Sequence, residues 1–502
     1  MNQRWISLAL FATTWLAAVA FEDGDLSSWD TANRLQVTRW IWTDAPQVLP
    51  EQTWFGVYGK DGKKYAWTGL GQSLWMLPSQ ILGSQLAPRI SSNPKYANKF
   101  EEIFVTYTVF PLTSALAVVA LFHLLLALQF CERTAGLAAM AGFWGTSLFP
   151  YTQINQENSL IFLFATLSFL FAIKVHQEKQ KPWWYMALGC CLGYNLLVRL
   201  TTGIDAICVG LLFLLLQPAP FLLGLKKRAP GLLLSVGCGL IFVLIERAYH
   251  YHRFGSLINT YVDVIKSQRL DVLPEGDFGA GISGLLWSVQ NNVWQFDPLA
   301  AFALVAVPLV WGGLTSRQKK MSLITILYAS LYILFYASRP FFDGDSAWGS
   351  RYTTSPIILM GVLGVATVLE SSKTWLKKVM IPVTVLAIVI QLSSTFFWYS
   401  LEEIQQKDHK GVSKSMVVLR AQNIAAYWTG RWKEWDLLAE QDSLRQRTPN
   451  YFPFLIRKYL NSRVAKMLAF SWLTCVAIAL SGNLILLFRL IIKKPYEYRT
   501  KN

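Results

Sequence analysis

The sequence predicts an all-α integral membrane protein with about a dozen transmembrane helices, and two observations support this. Apolar blocks of roughly 17 to 25 residues recur along the chain, the length at which an α-helix crosses about 30 Å of hydrocarbon. Hydrophobic residues make up 53% of the 502 residues and charged residues only 15%, whereas soluble domains carry about 25% charged residues. The polar residues are therefore expected in the loops, and lipid is the solvent of most helices.

Twelve apolar blocks are predicted to form the membrane helices. Each is too long and too apolar for a strand, and polar or basic residues separate it from the next. The predicted helices cover residues 5–21, 103–130, 135–151, 159–175, 183–198, 203–216, 230–249, 298–313, 322–337, 354–370, 379–398 and 467–490.

The basic residues lie in short clusters between the apolar blocks, which explains the formal net charge of +16. Nucleic-acid binding is not indicated, because no helix carries a continuous basic face. If the N-terminus with Arg4 is cytoplasmic, every loop on that side is basic, so the positive-inside rule predicts both termini in the cytoplasm. A signal sequence cleaved near Ala18-Val19-Ala20 is the alternative for the first block, but an uncleaved anchor agrees with the even helix count. The cytoplasmic clusters contain Arg133, Lys174, Lys179, Lys181, Lys226, Lys227, Arg228, Arg317, Lys319, Lys320, Lys373, Lys377, Lys378, Lys493, Lys494, Arg499 and Lys501.

The six cysteines show no disulfide or metal-binding pattern. Each lies in an apolar block or beside one predicted cytoplasmic turn, so no disulfide framework is implied. The spacing of a zinc site is missing from the sequence. No cofactor is therefore expected, and a dependence on a divalent metal is left open.

Four predicted outer segments are long or polar enough to build a site, at 22–102, 251–297, 338–352 and 399–466. The first is predicted to hold an amphipathic helix at 29–42, a turn at 56–62 and a second helix at 65–82, with tryptophans suited to the membrane interface. Trp428, Trp432 and Trp435 predict another surface-lying helical piece in the last segment. The expected domains are a transmembrane module at 1–399 that includes the first outer loop 22–102, an extracytoplasmic amphipathic segment at 400–466, and a last transmembrane helix with a basic tail at 467–502.

An acidic run directly follows the first apolar block, where the chain leaves the membrane. Glu22, Asp23 and Asp25 lie close together, and Asp30 follows. Desolvation near the interface and mutual repulsion both raise carboxylate pKa values, which suits a general base acting on a hydroxyl group. The alternative is a solvated acidic turn that caps the next helix, with Asp30 paired to Arg34 four residues later.

One further acid and two arginines lie at predicted outer helix ends. Glu157 lies in a very short polar link, where it is either an acid of the site or a helix-starting acid favoured by the helix dipole. Arg199 ends one apolar block, and Arg351 precedes another. An arginine at headgroup depth can hold a lipid phosphate through paired hydrogen bonds and stabilise it as a leaving group. Snorkelling to ordinary phospholipid is the alternative.

Together with these residues, a series of short motifs resembles the bacterial membrane glycosyltransferases of the C superfamily, in particular relatives of the family 39 protein mannosyltransferases. The resemblance spans nearly the whole length, the motifs keep the family's order, and nearly all of them fall on the predicted outer face. The motifs are Asp23-Gly24-Asp25 through Arg39, Gly59-Lys60-Asp61-Gly62-Lys63-Lys64-Tyr65, Gly69-Leu70-Gly71-Gln72-Ser73-Leu74-Trp75-Met76-Leu77-Pro78, Pro150-Tyr151-Thr152 through Glu157, Val198-Arg199-Leu200-Thr201, His252-Arg253-Phe254-Gly255-Ser256 to Tyr261, and Gly349-Ser350-Arg351-Tyr352-Thr353.

The resemblance implies an inverting glycosyltransferase in the inner (plasma) membrane. It is expected to move a sugar from a polyprenyl-phosphate carrier to a hydroxyl group of a glycan, lipid or protein acceptor on the extracytoplasmic side. An acid of the first outer loop is expected to act as the base, Asp25 before Asp23, with Glu157 as a second acid. The residues expected to bind substrate are Arg199, Arg351, Tyr352, Arg39, Tyr65 and Arg253.

Other functions stay open on the sequence alone. A secondary transporter also fits a dozen helices with both termini inside, but transporters carry ionisable groups near the bilayer midplane and usually have internal repeats. Here the charges lie at helix ends. A lipid-linked oligosaccharide polymerase or ligase would also use outer loops and arginines, although the large first outer loop with its early acid favours transfer of a monosaccharide. A non-catalytic homologue is a further alternative.

Overall fold

Helices dominate the computed structural model of the chain, which describes residues 3–492 without 27, 50–51, 53, 178–180, 218–219, 270–275, 291, 343, 345–346, 399, 410 and 432–461. A helix occupies most of each predicted apolar block, so the all-α fold class is confirmed. The predicted basic tail beyond 492, together with Lys179, Trp432 and Trp435, lies outside the described residues.

The described helices and strands follow one another along the chain in a simple order. They are α1 Gln3–Phe21, α2 Trp29–Trp42, β1 Val57–Tyr58, β2 Lys64–Tyr65, α3 Gly71–Ile90, α4 Pro94–Ala127, α5 Glu132–Trp144, α6 Pro150–Gln153, α7 Asn158–Gln177, α8 Pro182–Val198, α9 Gly203–Leu215, α10 Phe221–Phe254, α11 Tyr261–Gln268, α12 Phe278–Trp287, α13 Val293–Phe296, α14 Pro298–Val310, α15 Ser316–Ala337, α16 Thr354–Glu370, α17 Thr374–Ser393, α18 Leu401–Asp408, α19 Met416–Trp428 and α20 Ser462–Ile492.

Six helices in the described part of the chain are long and apolar enough to cross a membrane: Gln3–Phe21, Ala97–Ala127, Asn158–Gln177, Gly224–Phe254, Ser316–Ala337 and Thr374–Ser393. Five shorter apolar helical stretches accompany them, at Leu200–Leu215, Phe278–Trp287, Pro298–Gly313, Thr354–Glu370 and Phe470–Leu486. A membrane protein is therefore confirmed, whereas the count of twelve spans stays a prediction.

The main apolar core lies where α1, α4, α5, α7 and α16 pack together. Leu121, Phe169 and Val362 are among its fully buried side chains. Other faces of the helices stay apolar and exposed, for example at Leu233 and Leu244 of α10. Apolar side chains on the outside are expected where a helix faces lipid rather than water.

The predicted outer loop between α1 and α4 contains two helices and a hairpin. The amphipathic helix predicted at 29–42 is confirmed as α2. The helix predicted at 65–82 is wrong at both ends, because α3 runs Gly71–Ile90. Tyr65, its predicted first residue, instead ends β2, which pairs antiparallel with β1 so that Val57 lies opposite Tyr65.

Candidate active site

The acidic run after α1 is buried. Glu22 is 0% exposed and Asp23 is 8% exposed. The cap of α2 is Ser28, whose hydroxyl oxygen accepts a hydrogen bond from the backbone N–H of Thr31. The alternative of a solvated acidic turn that caps α2 is therefore wrong.

Lys99 and Glu102, near the start of α4, contact this acidic run. We call Glu22, Asp23, Asp25, Lys99 and Glu102 the acid cluster. Lys99 Nζ lies 2.7 Å from Asp25 Oδ1 and 3.1 Å from Glu102 Oε1, and the backbone N–H of Leu26 donates to the same Glu102 oxygen at 2.9 Å. The sequence reasoning missed Lys99 and Glu102 because α4 begins well before its apolar block. Within the described ranges, no group of three His, Cys, Asp or Glu side chains has the arrangement of a metal site.

Burial changes the proton affinity of the first two acids. Burial, and then repulsion from Asp23, raises the pKa of Glu22 well above its ordinary value. Burial also raises the pKa of Asp23 well above its ordinary value, although the backbone N–H of Asp25 donates to Asp23 Oδ1 at 2.8 Å and opposes the change. Raised carboxylate pKa values bring proton exchange closer to neutral pH, where general bases operate.

Asn155 joins this acid cluster to the link between α6 and α7. It is fully buried and has a left-handed backbone with φ of +60°, a conformation that asparagine tolerates better than most residues. Its side-chain N–H group donates to Glu22 Oε1 at 3.1 Å and to the carbonyl of Asp25 at 2.9 Å. Its own carbonyl accepts from the hydroxyl of Thr31 at 2.8 Å. The link and the acid loop are therefore held together by one side chain.

Two residues later, Glu157 lies between two arginines. Glu157 Oε2 is 2.7 Å from Arg34 Nη1, and Glu157 Oε1 accepts a hydrogen bond from Arg199 Nη2. Burial alone would raise the pKa of Glu157, but the charges of Arg199, Arg34 and Arg351 hold it well below its ordinary value. Glu157 is therefore ionised at neutral pH. The predicted pairing of Arg34 with Asp30 is wrong.

Asp30 instead faces Arg351, with 3.4 Å between Asp30 Oδ2 and Arg351 Nη1. Arg351 Nη2 donates to the Tyr352 hydroxyl at 3.0 Å, and the buried Arg351 Nε has no hydrogen-bond partner among the described residues. The Tyr352 ring lies under the guanidinium groups of Arg199 and Arg351 at 5.1 and 4.9 Å. It also stacks on Tyr336 at 4.4 Å.

We call Arg34, Arg199 and Arg351, with the carboxylates of Glu157 and Asp30, the arginine cluster. Three positive and two negative side chains leave one positive charge in excess. Such a cluster favours binding of an anion, and planar guanidinium groups suit a phosphate best.

The glycines of the Gly69-Leu70-Gly71 motif allow α3 to approach the end of α8. A Cβ atom on Gly69 would lie 2.3 Å from the carbonyl oxygen of Val198, and one on Gly71 would lie 2.6 Å from its nitrogen. The Tyr194 hydroxyl donates to the Gly71 carbonyl at 2.8 Å. This close packing places the start of α3 beside Arg199, the next residue after α8.

The other three predicted substrate residues contact groups outside these two clusters. Arg39 Nε lies 2.8 Å from Glu101 Oε1. The Tyr65 hydroxyl donates to Asp61 Oδ2 at 2.9 Å. The buried Arg253 donates to a backbone carbonyl at 2.5 Å. Their role in substrate binding stays a prediction.

Comparison with known proteins finds similarity to solved structures. No protein-family model and no curated protein matches the sequence. The chain is similar to ArnT from Cupriavidus metallidurans bound to undecaprenyl phosphate, with 13% identity and a TM-score of 0.48 over 98% of this chain and 77% of that one. It is also similar to the archaeal oligosaccharyltransferase AglB from Archaeoglobus fulgidus in complex with an inhibitory peptide and a dolichol-phosphate, with 11% identity and a TM-score of 0.46 over 77% of this chain. The match spans only 56% of AglB. At these identities, and with TM-scores below 0.5, the likeness assigns neither a superfamily nor an activity to this chain.

Proposed function

We propose that the protein is an inverting glycosyltransferase that moves a sugar from a polyprenyl-phosphate carrier to an acceptor hydroxyl group on the extracytoplasmic side of the inner membrane. The observation that supports this most directly is the joining of a buried acid cluster to an arginine cluster through Asn155 and Glu157. Glu22, Glu157, Arg199 and Arg351 lie at or near the ends of apolar helices. A reaction between a lipid-anchored donor and a water-borne acceptor requires this position, because the lipid tail stays in the bilayer.

The arginine cluster would hold the phosphate of the donor and stabilise it as it leaves. Arg351 is the best candidate for direct contact, because its 3.4 Å approach to Asp30 is long for an ion pair and its Nε has no partner in the described part of the chain. Arg199 is fixed by Glu157 and contributes charge at a set position. Stabilising charge on a leaving group is among the largest contributions to enzymatic rates.

Asp25 would act as the general base. Its side chain is half exposed, so an acceptor can reach it from water, while Lys99 orients one of its oxygens. The acceptor oxygen would form a bond to the anomeric carbon as the bond from that carbon to the phosphate oxygen breaks. The hydroxyl proton would pass to Asp25, and polyprenyl phosphate would leave. A single displacement of this kind inverts the anomeric configuration.

Glu157 fits a positioning residue better than a second acid. Its lowered pKa makes it a weak base, and both of its oxygens face arginines. It would hold the guanidinium groups of Arg34 and Arg199 in place before the donor binds.

The test is incubation of the purified protein with a panel of polyprenyl-phosphate monosaccharides and a mixture of acceptors, with release of free polyprenyl phosphate as the measurement. Wild-type protein should release it from at least one donor, and Asp25→Asn should lower the rate by about 10² to 10⁴. Asp44→Asn is the matched control, because Asp44 is an exposed acid of the same loop. Release by no donor, together with uptake of a solute into proteoliposomes, would instead identify a transporter.

A further inference from the structure

Three buried side-chain oxygen atoms without partners belong to residues that contact one another where the acid cluster meets the link between α6 and α7. Glu22 Oε2, Gln72 Oε1 and Asn155 Oδ1 make no hydrogen bond to any described residue. The three residues are 0%, 1% and 0% exposed. Most buried polar atoms in proteins have a partner, so a ligand that supplies hydrogen-bond donors would complete these three residues.

The hydrogen bonds that these residues make show which atom of each side chain has no partner. The Asn155 amide nitrogen donates to Glu22 Oε1 and to the carbonyl of Asp25, both of which are acceptors. The Gln72 amide nitrogen donates to the carbonyl of Asn155 at 3.2 Å. Neither amide can be turned over without losing these bonds, so the unpaired atom of each is its oxygen.

Glu22 and Gln72 both contact Asn155, which lies between the acid cluster and the arginine cluster. On one side, Asn155 contacts the carbonyl of Asp25, the proposed base. On the other side, it is two residues from Glu157, which holds Arg199. In the proposed reaction the anomeric carbon lies between the base and the phosphate, so the ring of the transferred sugar would lie beside Asn155.

We propose, resting on the proposed function, that Glu22, Gln72 and Asn155 form the subsite for the sugar of the donor and pair with its hydroxyl groups. A hydroxyl group both donates and accepts, so it can pair with the two amide oxygens and with a neutral or an ionised Glu22. The adjacent carboxylates of Asp23 and Asp25 disfavour a sugar that carries a negative charge. The sugar class is therefore a monosaccharide rich in hydroxyl groups and without an acidic substituent.

The test compares glycosylated and bare lipid in wild-type protein and in Gln72→Met, which keeps the length of the side chain and removes both its oxygen and the amide nitrogen that donates to the Asn155 carbonyl. The probes are polyprenyl phosphate alone and the panel member that wild-type protein uses best. We expect Gln72→Met to raise KM for the glycosylated donor about tenfold, the effect of one lost hydrogen bond, and to leave the affinity for bare polyprenyl phosphate within about twofold. A donor that lacks one ring hydroxyl should show the same loss in wild-type protein and little further loss in Gln72→Met.

Gln80→Met is the matched control, since Gln80 lies on the same helix and is equally buried, but both of its polar atoms are paired. Its Nε2 donates to Glu101 at 3.1 Å, and its oxygen accepts from Trp42 at 2.6 Å. Gln80→Met should reduce thermal stability without changing the preference for glycosylated over bare lipid.

Two results would overturn the inference, and they separate it from the proposed function. If wild-type protein releases polyprenyl phosphate from a sugar donor but Gln72→Met weakens bare and glycosylated lipid equally, the subsite is wrong and the proposed function stands. If wild-type protein uses no donor of the panel, the proposed function fails, and equal binding of bare and glycosylated lipid then removes the subsite as well. Preferred use of a uronic acid donor would overturn the stated sugar class alone.

Discussion

Glu157 lies 2.7 Å from Arg34 across the fold, although Asp30 is only four residues from Arg34 on the same helix. Arg34 is 5% exposed and Glu157 is 4% exposed, so neither charge is solvated by water. A pair of this kind is required once both groups are buried, whereas a pair four residues apart on a helix contributes only about 0.5 kcal/mol. Arg34 therefore pairs with the distant Glu157 rather than with Asp30, and Asp30 faces Arg351 instead.

Replacing Glu157 with Gln should strongly destabilise the protein, because Arg34 and Arg199 would then be buried without their counter-charge. Breaking a buried ion pair in this way costs about 3–5 kcal/mol, which thermal unfolding in detergent would measure. Glu403→Gln is the control, since Glu403 pairs with the largely exposed Lys407 and its loss should change stability by less than about 1 kcal/mol. Equal effects of the two variants would contradict the role given to Glu157.

The folded protein should become less stable as the pH rises, because Glu22 then loses its proton. Burial and the charge of Asp23 raise the pKa of Glu22 in the folded protein. The folded state therefore binds this proton more tightly than the unfolded state, in which the pKa of glutamate is about 4.3. The stability that this proton contributes is complete below the unfolded pKa and is lost as the pH rises through the folded pKa. Glu22→Gln keeps an accepting oxygen without the charge. The melting temperature of this variant should therefore fall less than that of the wild type between about pH 5 and pH 9, and an unchanged slope would contradict the raised pKa.

Arg351→Lys should weaken donor binding more than it weakens folding. Lysine keeps the positive charge but loses the planar fork that contacts Tyr352 and Asp30, and with it the paired geometry that suits phosphate. We expect the affinity for polyprenyl phosphate to fall about tenfold or more. The matched control is Arg339→Lys, because Arg339 lies at the beginning of the same loop and packs over Phe335. Unchanged affinity in Arg351→Lys would show that Arg351 only anchors the protein.

The sequence predicts the helices well because their formation depends on a local property. A block such as 354–370 must be helical to satisfy its backbone in an apolar environment, whatever its neighbours are, and α16 has these bounds. The predicted start of α3 is wrong because the preceding hairpin depends on the pairing of Val57 with Tyr65. Its strands are too short for the alternation of buried and exposed residues to be recognised in the sequence.

The candidate site was only partly predictable, because its partners come from distant parts of the chain. The acids after α1 and the arginines at helix ends stand out as charges beside apolar blocks. Lys99 and Glu102 do not, since they look like ordinary surface residues of a helix start. Asn155 carries no charge, and only its left-handed backbone and its contacts with Glu22 reveal its place.

Arg420 connects the segment after α17 to the loop that carries Arg351. Its side chain is fully buried and pairs with Glu402 through two hydrogen bonds of 2.6 Å. Its guanidinium group lies over Trp348 at 4.9 Å and over Phe397 at 5.7 Å. Trp348 is followed by Gly349, whose φ of +72° turns the chain towards Arg351.

Trp348→Leu and Phe397→Leu should therefore differ, although each removes one aromatic contact of Arg420. Both are expected to lower stability by about 1–3 kcal/mol through lost packing. Only Trp348→Leu should also weaken the binding of polyprenyl phosphate, because it releases the loop that holds Arg351, whereas Phe397 belongs to the segment after α17. The measurement is lipid affinity at a temperature well below unfolding for both variants, with the melting temperature as the check on folding. If the two variants lose affinity in proportion to their loss of stability, Arg420 stabilises the fold without positioning Arg351.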